Sequence, residues 1–133
     1  MGAARPRHCV QTTPVLRRRT GYQLLLRVEP GTVVPLHRHT GDVHAFNISG
    51  AREIIDTGQI VTAGTYLYEP VGNLDSWRAV GTEPCVIHIA TTGRINYLDD
   101  NGAVARYTDA GTARNEYHAW CQANGVEPMA GLR

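Results

Sequence analysis

Three histidines in the first half of the chain have the spacing of a metal site. His37 and His39 are two residues apart in a segment of strand character, so alternation directs both imidazoles to one face. His44 follows a short break at residues 40–42 and begins the next such segment, which can fold back beside the first. Neutral imidazole binds iron, zinc, copper and nickel well. The pattern therefore indicates a metal site, although a histidine pair of this spacing also occurs on exposed polar strands.

The elements that must position these histidines are short β-prone segments separated by glycine or proline. Turn residues at this density, with no long helical window between them, predict an all-β sandwich or barrel. Beyond it, Ala110–Asn124 has the composition of an α-helix, and the following Gly125 is a stop signal. The predicted strands are Tyr22–Val28, Thr32–Arg38, Val43–Ser49, Glu53–Asp56, Gln59–Val61, Thr65–Glu69, Ser76–Val80 and Cys85–Thr91.

The length of 133 residues predicts a single domain, 1–133, with three parts. Residues 1–20 are polar and are expected to form an N-terminal arm or an edge strand. Residues 21–98 are expected to form the barrel, and residues 110–124 the C-terminal helix. The arginine run at positions 17–19 could pair with acidic groups of a second subunit, and we expect a homodimer.

Composition and charge exclude several classes of protein. A net charge of +1 argues against a nucleic-acid surface. No apolar run is long enough for a signal peptide or a membrane span. Cys9, Cys85 and Cys121 are an odd number without a CxxC pair, which argues against a disulfide framework and a thiolate zinc site. We therefore expect a cytoplasmic protein with reduced thiols whose partner is a small-molecule substrate, with no nucleic acid and no membrane involved.

Glycines, histidines and a proline recur at fixed spacing in two segments. The first runs Gly31, five residues, His37-Arg38-His39, four residues, His44, five residues, Gly50; the second runs Gly64, five residues, Pro70-Val71-Gly72, two residues, Asp75. This spacing resembles the two motifs of the cupin superfamily over residues 21–98. The resemblance implies a cupin-type jelly-roll β-barrel, here followed by one C-terminal α-helix.

Three further stretches are similar to the dihydroxyacetophenone dioxygenase branch of cupins, to which acetylacetone dioxygenase is related. They are His39–Ala45, Gly64–Gly72 and Thr92–Gly102. The resemblance implies one divalent metal, usually non-haem iron, held on histidines in the barrel. In that branch the iron activates dioxygen to break a carbon–carbon bond beside a ketone.

The chain departs from the cupin motifs at three positions. The glutamate of the first motif is His44, the histidine of the second is Asp75, and the closing asparagine is Ala79. In one interpretation Asp75 joins His37 and His39 as a carboxylate ligand, with His44 as a fourth ligand or a base. In a second, Asp75 is too short and the three histidines bind the metal. In a third, the barrel holds no metal.

Other residues are candidates for a substrate pocket. Tyr66 and Tyr68 share one strand face, and Trp77 lies two residues after Asp75, so all three could stack on a flat substrate. His88 could line the pocket or move protons, or be a buried neutral histidine. Glu69, at a strand end, is interpreted as a rim charge.

These residues and the resemblance to cupins lead to three hypotheses about function. The first is a dioxygenase-like metal enzyme acting on a small enolisable or phenolic ketone, with iron(II) as the favoured metal and zinc, nickel or manganese as alternatives. The second is a non-redox, metal-dependent cyclase, isomerase or dehydratase of a keto or polyketide intermediate in secondary metabolism. In both, His44 and His88 are the candidate catalytic residues. The third is a non-enzymatic cupin that binds a small ligand.

Overall fold

The protein is described by a computed structural model that covers residues 8–12 and 21–129, with side chains from residue 21 onward. Strands dominate the described part of the chain, and one helix follows them. The elements are β1 His8–Thr12, β2 Gly21–Val28, β3 Val33–His39, β4 Val43–Ser49, β5 Ala51–Ile54, β6 Ile60–Val61, β7 Tyr66–Glu69, β8 Leu74–Val80, β9 Cys85–Thr92, β10 Ile95–Leu98, β11 Val104–Thr108 and α1 Ala110–Asn124.

The strands form two antiparallel sheets. One has five strands in the order β1-β2-β9-β4-β7, and the other has six in the order β11-β10-β3-β8-β5-β6. Each sheet contains neighbours that are distant in sequence, such as β2 with β9 and β3 with β8, as in jelly rolls. The predicted all-β jelly-roll with a C-terminal helix is therefore confirmed.

Alternate residues of the strands fill the space between the sheets. Val43 and Ala45 of β4 meet Ile87 of β9 and Trp77 and Ala79 of β8 in one buried cluster. Residues between them, such as His44 and Phe46, are exposed on the outer side. The alternation of side chains along each strand thus determines which residues lie between the two sheets.

The helix begins and ends where its sequence signals lie. The Asp109 side chain accepts a hydrogen bond from the Thr112 amide, and the Thr112 hydroxyl accepts one from the Asp109 amide. Gly125 ends the helix in the left-handed region with φ 65°. Ala110 and Ala113 pack on Tyr22 and Leu24 of β2. The predicted bounds of the helix are confirmed.

The barrel is larger than the sequence prediction at its C-terminal end. Strand β11 extends it from residue 98 to residue 108 and forms a hairpin with β10, which pairs with β3. At the N-terminal end, β1 pairs with β2 at the edge of the five-stranded sheet, where an edge strand was expected. The arginine run at 17–19 lies outside the described residues. Along the described residues, no helix is both long and apolar enough to cross a bilayer.

A close backbone approach fixes the end of β3. The amide of Thr40 donates to the Arg94 carbonyl, and the Arg94 amide donates to the Thr40 hydroxyl. A Cβ atom on Gly41 would lie 2.2 Å from the carbonyl oxygen of Thr92. Only glycine fits here, and the contact holds the C-terminal end of β3 against the loop between β9 and β10.

Candidate metal centre

The centre is built by β3 and β8, which are antiparallel neighbours. His37 and Asp75 are register partners across this pair, and His39 follows two residues later on the same inward face. One ligand atom from each of the three residues lies within 4.8 Å of the others. All three are buried, at 4 to 5% exposure. The structure therefore brings together three of the four residues predicted as ligands.

His37 has the protonation state that a metal ligand needs. Its Nδ1 lies 2.7 Å from the carbonyl oxygen of Pro35, and since a carbonyl can only accept, Nδ1 carries the proton. The lone pair is then on Nε2, which is free to bind a cation. Burial lowers the pKa of His37 to about 4, so the imidazole is neutral at physiological pH.

His39 provides the test of whether a cation fits this site. Neither of its buried ring nitrogens has a hydrogen-bond partner. Its Nε2 lies 3.3 Å from Oε1 of Glu69, a close approach without the geometry of a hydrogen bond. Buried polar atoms without partners are uncommon in folded proteins. A cation bound between His39 Nε2 and Glu69 Oε1 would give each of these two atoms a partner. These residues therefore fit a metal ion.

Glu69 reaches the site from the opposite sheet and was not expected there. It is the last residue of β7 and only 6% exposed, so its interpretation as a rim charge is wrong. Its Oε1 accepts a hydrogen bond of 2.8 Å from the Asn73 amide group. Burial disfavours its charged form, but the contacts with His39 and Asn73 prevail and hold the pKa of Glu69 below its usual range.

Asp75 and Arg52 complete the charged interior. Burial, reinforced by the negative charge of Glu69, raises the pKa of Asp75 to about 6. The Arg52 guanidinium lies 5.0 Å from the centre of the Trp77 ring and is 2% exposed. No carboxylate of the described residues lies within 4.0 Å of it. Its positive charge nevertheless favours the ionised forms of Asp75 and Glu69.

The donor set limits the choice of metal. Two imidazoles with one carboxylate is the set of many non-haem iron(II) oxygenases, and nitrogen with oxygen donors also suits zinc, nickel and manganese. The site therefore fits a divalent cation, with His37, His39 and Asp75 as ligands and Glu69 beside them.

His44 does not join this group. In β4 the inward positions are Val43 and Ala45, and the His44 side chain is half exposed on the outer face. There its Nδ1 forms a short hydrogen bond with the hydroxyl of Tyr66. The prediction that it lies beside the other two histidines is wrong: the odd-numbered positions stay buried from His37 through Gly41 to Ala45, so the even-numbered His44 faces outward.

The predicted pocket residues divide between the two faces. Trp77 is buried on the same inward face as Asp75. Tyr66 and Tyr68 are about half exposed, since Leu67 and Glu69 take the inward positions of β7. His88 also faces outward, with its Nε2 3.1 Å from the side-chain oxygen of Gln23. The catalytic role predicted for His44 and His88 therefore has no structural basis at this centre.

The sequence reasoning missed two further residues of the interior. Tyr97 of β10 is the register partner of His37, and the centres of the two rings are 5.3 Å apart. Arg52 comes from β5. Strand alternation would have predicted that Glu69 faces inward, because it lies two residues after the inward Leu67. No sequence signal distinguishes Arg52 from an exposed arginine.

A family model described as the ChrR cupin-like domain matches residues 8–94. This chain belongs to that cupin family. The cupin resemblance predicted from the two motifs is thereby confirmed. A search of curated proteins found no match.

Solved structures show the same fold. An RmlC-like cupin from Ralstonia eutropha is 22% identical with a TM-score of 0.85, over 92% of this chain and 80% of that one. A second Ralstonia eutropha protein, with a cupin-like fold and unknown function, is 25% identical with a TM-score of 0.82, over 89% and 75%. An acetylacetone dioxygenase from Acinetobacter johnsonii is 20% identical with a TM-score of 0.75, over 83% and 76%. The dioxygenase branch expected for this cupin is thus represented among its structural neighbours.

Proposed function

We propose that this cupin is a metal-dependent, dioxygenase-like enzyme that acts on a small enolisable or phenolic ketone. The observation that carries the proposal is the convergence of His37, His39 and Asp75 inside the barrel. Iron(II) is the favoured metal because two imidazoles and a carboxylate leave coordination positions open for substrate and dioxygen. The shared fold with an acetylacetone dioxygenase supports the same choice of chemistry.

The residues of the chain have distinct parts in this proposal. When bound, iron(II) would polarise the oxygen atoms of the ketone and allow dioxygen to react with it. The hydrogen bond from His37 Nδ1 to Pro35 keeps the imidazole neutral and oriented. The lowered pKa of Glu69 keeps its carboxylate ionised beside the ligands, where it can accept the proton released when the ketone enolises. This assigns to Glu69 the part that the sequence suggested for His44.

Oxygen uptake tests the proposal directly. Protein reconstituted with Fe(II) without air is mixed with aerated buffer and a panel of diketones and hydroxylated acetophenones. We expect consumption of dioxygen in proportion to ketone, and cleaved products by mass spectrometry. Zinc-loaded protein and the Asp75→Asn variant are the controls and should consume none. Iron-loaded protein that consumes no oxygen with any ketone of the panel would contradict the assignment.

A specific observation also favours a non-redox reaction. Asp75 and Glu69 are neighbouring carboxyl groups whose pKa values are shifted in opposite directions. With the metal on His37, His39 and Asp75, the ionised Glu69 remains as a base for a cyclase, isomerase or dehydratase in secondary metabolism, with the metal as Lewis acid. This second candidate predicts turnover of a keto compound without oxygen and with zinc in the site. Saturable binding of the same compounds without turnover would instead favour the ligand-binding alternative.

We also propose that the protein works in the cytoplasm. Cys85 and Cys121 are free thiols buried within the fold. Such thiols are typical of a reducing compartment.

A further inference from the structure

The guanidinium of Arg52 is a buried charge that the reaction at the metal centre does not use. Arg52 of β5 is the register partner of Ala79 in β8 on one side and of Val61 in β6 on the other. Both partners are buried, at 0 and 1% exposure, so Arg52 stands on the inward face of its sheet. Its side chain therefore enters the space between the two sheets.

This guanidinium has no counterion in contact. Its Nε is enclosed and has no hydrogen-bond partner. Every carboxylate of the described residues lies more than 4.0 Å away, and the neighbour of the guanidinium is the face of the Trp77 ring. Arginine is almost never fully buried unless it is paired, because burial removes the water that solvates its charge. The unfilled donors of Arg52 therefore mark a place for an anion.

The metal ligands lie along the same inner surface. Asp75, Trp77 and Ala79 are the inward residues of β8, and the Arg52 side chain starts beside Ala79 and reaches over Trp77. The charges of Asp75 and Glu69 act on the guanidinium and favour its charged form. A molecule that is held at the metal and extends across Trp77 would therefore meet the guanidinium.

The balance of charge in the interior also favours an anion. Glu69, Asp75 and Arg52 give the metal-free interior one net negative charge, and a divalent cation changes this to one net positive charge. A net charge in a space with little water is unfavourable. A neutral ketone does not remove this charge, because the proton that leaves the ketone on enolisation stays in the interior on Glu69. A molecule that brings a negative charge of its own does remove it.

We propose that Arg52 binds a carboxylate of the substrate, so that the compound on which this cupin acts is a keto acid. The planar guanidinium offers paired N–H groups that match the two oxygens of a carboxylate. The ketone of the same molecule lies at the metal, and the carbon chain between the two groups lies along Trp77. This role of Arg52 rests on the proposed function, which places the ketone at the metal, and it adds the charge that the substrate must carry.

Titration calorimetry of zinc-loaded protein tests the proposal, because zinc fills the site and consumes no dioxygen. The probes are succinylacetone, a diketone whose short chain ends in a carboxylate, and its neutral methyl ester. The two molecules share the diketone and the carbon chain and differ in the charged group. We expect the acid to bind about 10–100-fold more tightly than the ester, which is the gain typical of hydrogen bonds to a charged group.

Substitutions of arginine identify the group that recognises the carboxylate. Arg52→Gln should lower the affinity for the acid to that for the ester and leave the affinity for the ester unchanged. Arg52→Lys keeps the charge without the paired donors and should restore part of the preference. Arg78→Gln is the matched control: Arg78 lies on β8, on the outer face, where it pairs with Glu53, and its loss should leave the full preference. Far-ultraviolet circular dichroism checks that each variant is folded.

The variants also distinguish recognition from a purely structural role. If Arg52→Gln weakens the binding of acid and ester alike, Arg52 only supports the fold, and the proposal is overturned. Equal affinity of the wild type for acid and ester overturns it as well, as does failure of the acid to bind. A preference that survives Arg52→Gln, or that disappears in Arg78→Gln, has the same consequence. Acetate that tightens the binding of the ester would place a separate anion at Arg52 and would also overturn it.

Oxygen uptake by the iron-loaded protein separates this site from the reaction. Protein that binds the acid through Arg52 but consumes no dioxygen keeps the carboxylate site and loses the dioxygenase assignment. Protein that consumes dioxygen with acid and ester alike, and binds both equally, keeps the reaction and loses the carboxylate site.

Discussion

Nε2 of His39 lies 3.3 Å from Oε1 of Glu69 inside the barrel, and no hydrogen bond joins the two atoms. The residues come from facing sheets, His39 from β3 and Glu69 from β7. A cation between them would therefore link the two sheets of the barrel as well as the two side chains.

Replacing Glu69 by glutamine should weaken divalent metal binding. The amide keeps the shape and the hydrogen-bonding oxygen but removes the negative charge beside His39, and loss of such a neighbour typically costs about 10–100-fold in metal affinity. Competition with a fluorescent chelator measures the change. Glu53→Gln removes a carboxylate that pairs with Arg78 on the other side of the sheet, and it should bind metal as the wild type does. Equal affinity in the wild type and Glu69→Gln would show that Glu69 does not touch the metal.

Replacing any of the three proposed ligands should remove the metal, whereas replacing His44 should not. His37→Ala, His39→Ala and Asp75→Ala each remove a ligand from the group, so the metal content after reconstitution should fall from about one ion per chain to a small fraction. His44→Ala should keep the full content because its ring points away from the barrel interior. Elemental analysis after desalting measures this. Loss of metal in His44→Ala at unchanged thermal stability would contradict the placement.

The stability of metal-free protein should respond to pH through two opposing groups. The pKa of His37 falls from 6.5 to about 4 on folding, so the folded state binds fewer protons between these values and stability rises with pH there. The pKa of Asp75 rises from 3.8 to about 6, so the folded state binds more protons and stability falls with pH over nearly the same window. The two contributions largely cancel in the wild type.

Asp75→Asn removes one of these groups. The free energy of unfolding of the chelator-treated variant should therefore rise more steeply between pH 4 and 6.5 than that of the wild type. Urea titrations at several pH values give the slopes. Parallel slopes would mean that Asp75 titrates normally in the fold.

Much of the fold could be predicted because its signals are local. The helix has a capping aspartate at one end and Gly125 at the other, and both act within a few residues. The inward pairs His37 and His39, and Asp75 and Trp77, follow from alternation within one strand. The same alternation continues through the β3–β4 turn, and counting it onward from His39 would have placed His44 on the outer face. The outward position of His44 depends on Val43 and Ala45 packing against Ile87, which is more than 40 residues away.

The tyrosines of β7 show a second limit of sequence reasoning. Hydrophobicity alone favours Tyr66 and Tyr68 as inward residues and Glu69 as exposed. The structure has the reverse arrangement, since Glu69 finds His39 and Asn73 inside. A buried carboxylate is stable only with such partners, and they come from β3 and from the turn before β8. The contact with His39 of the facing sheet, which sequence composition does not reveal, therefore accounts for the inward position of Glu69.

The buried thiols should resist modification. Burial raises the pKa of Cys85, which keeps it as the unreactive thiol, and Cys121 is 1% exposed. In a Cys9→Ser variant, Ellman's reagent should find almost no thiol in native protein and two per chain in guanidinium. Fast labelling of one thiol under native conditions would indicate local opening of the barrel or of the helix.

Gly41→Ala should destabilise the protein strongly. Its Cβ would lie 2.2 Å from the Thr92 carbonyl oxygen, so the backbone must shift, at a cost of about 2–4 kcal/mol in the free energy of unfolding. Gly111→Ala is the matched control, because its Cβ meets only Asp109 at 3.4 Å and alanine favours the helix. Thermal melts should show a lower midpoint for the first variant and an unchanged or higher one for the second. Equal midpoints would contradict the close approach.

The alternation of β7 has a consequence for how this protein can evolve. Tyr68 and Glu69 are adjacent in sequence but serve opposite faces of one sheet. Substitutions at the inward positions of β7 can therefore alter the chemistry of the interior without changing the surface. Substitutions at the outward positions can alter the surface without changing the interior. Loss or gain of a single residue within the strand exchanges the two sets at once. Point mutations in β7 can thus change the interior and the surface independently. Insertions and deletions in β7 change both faces together and should be removed by selection.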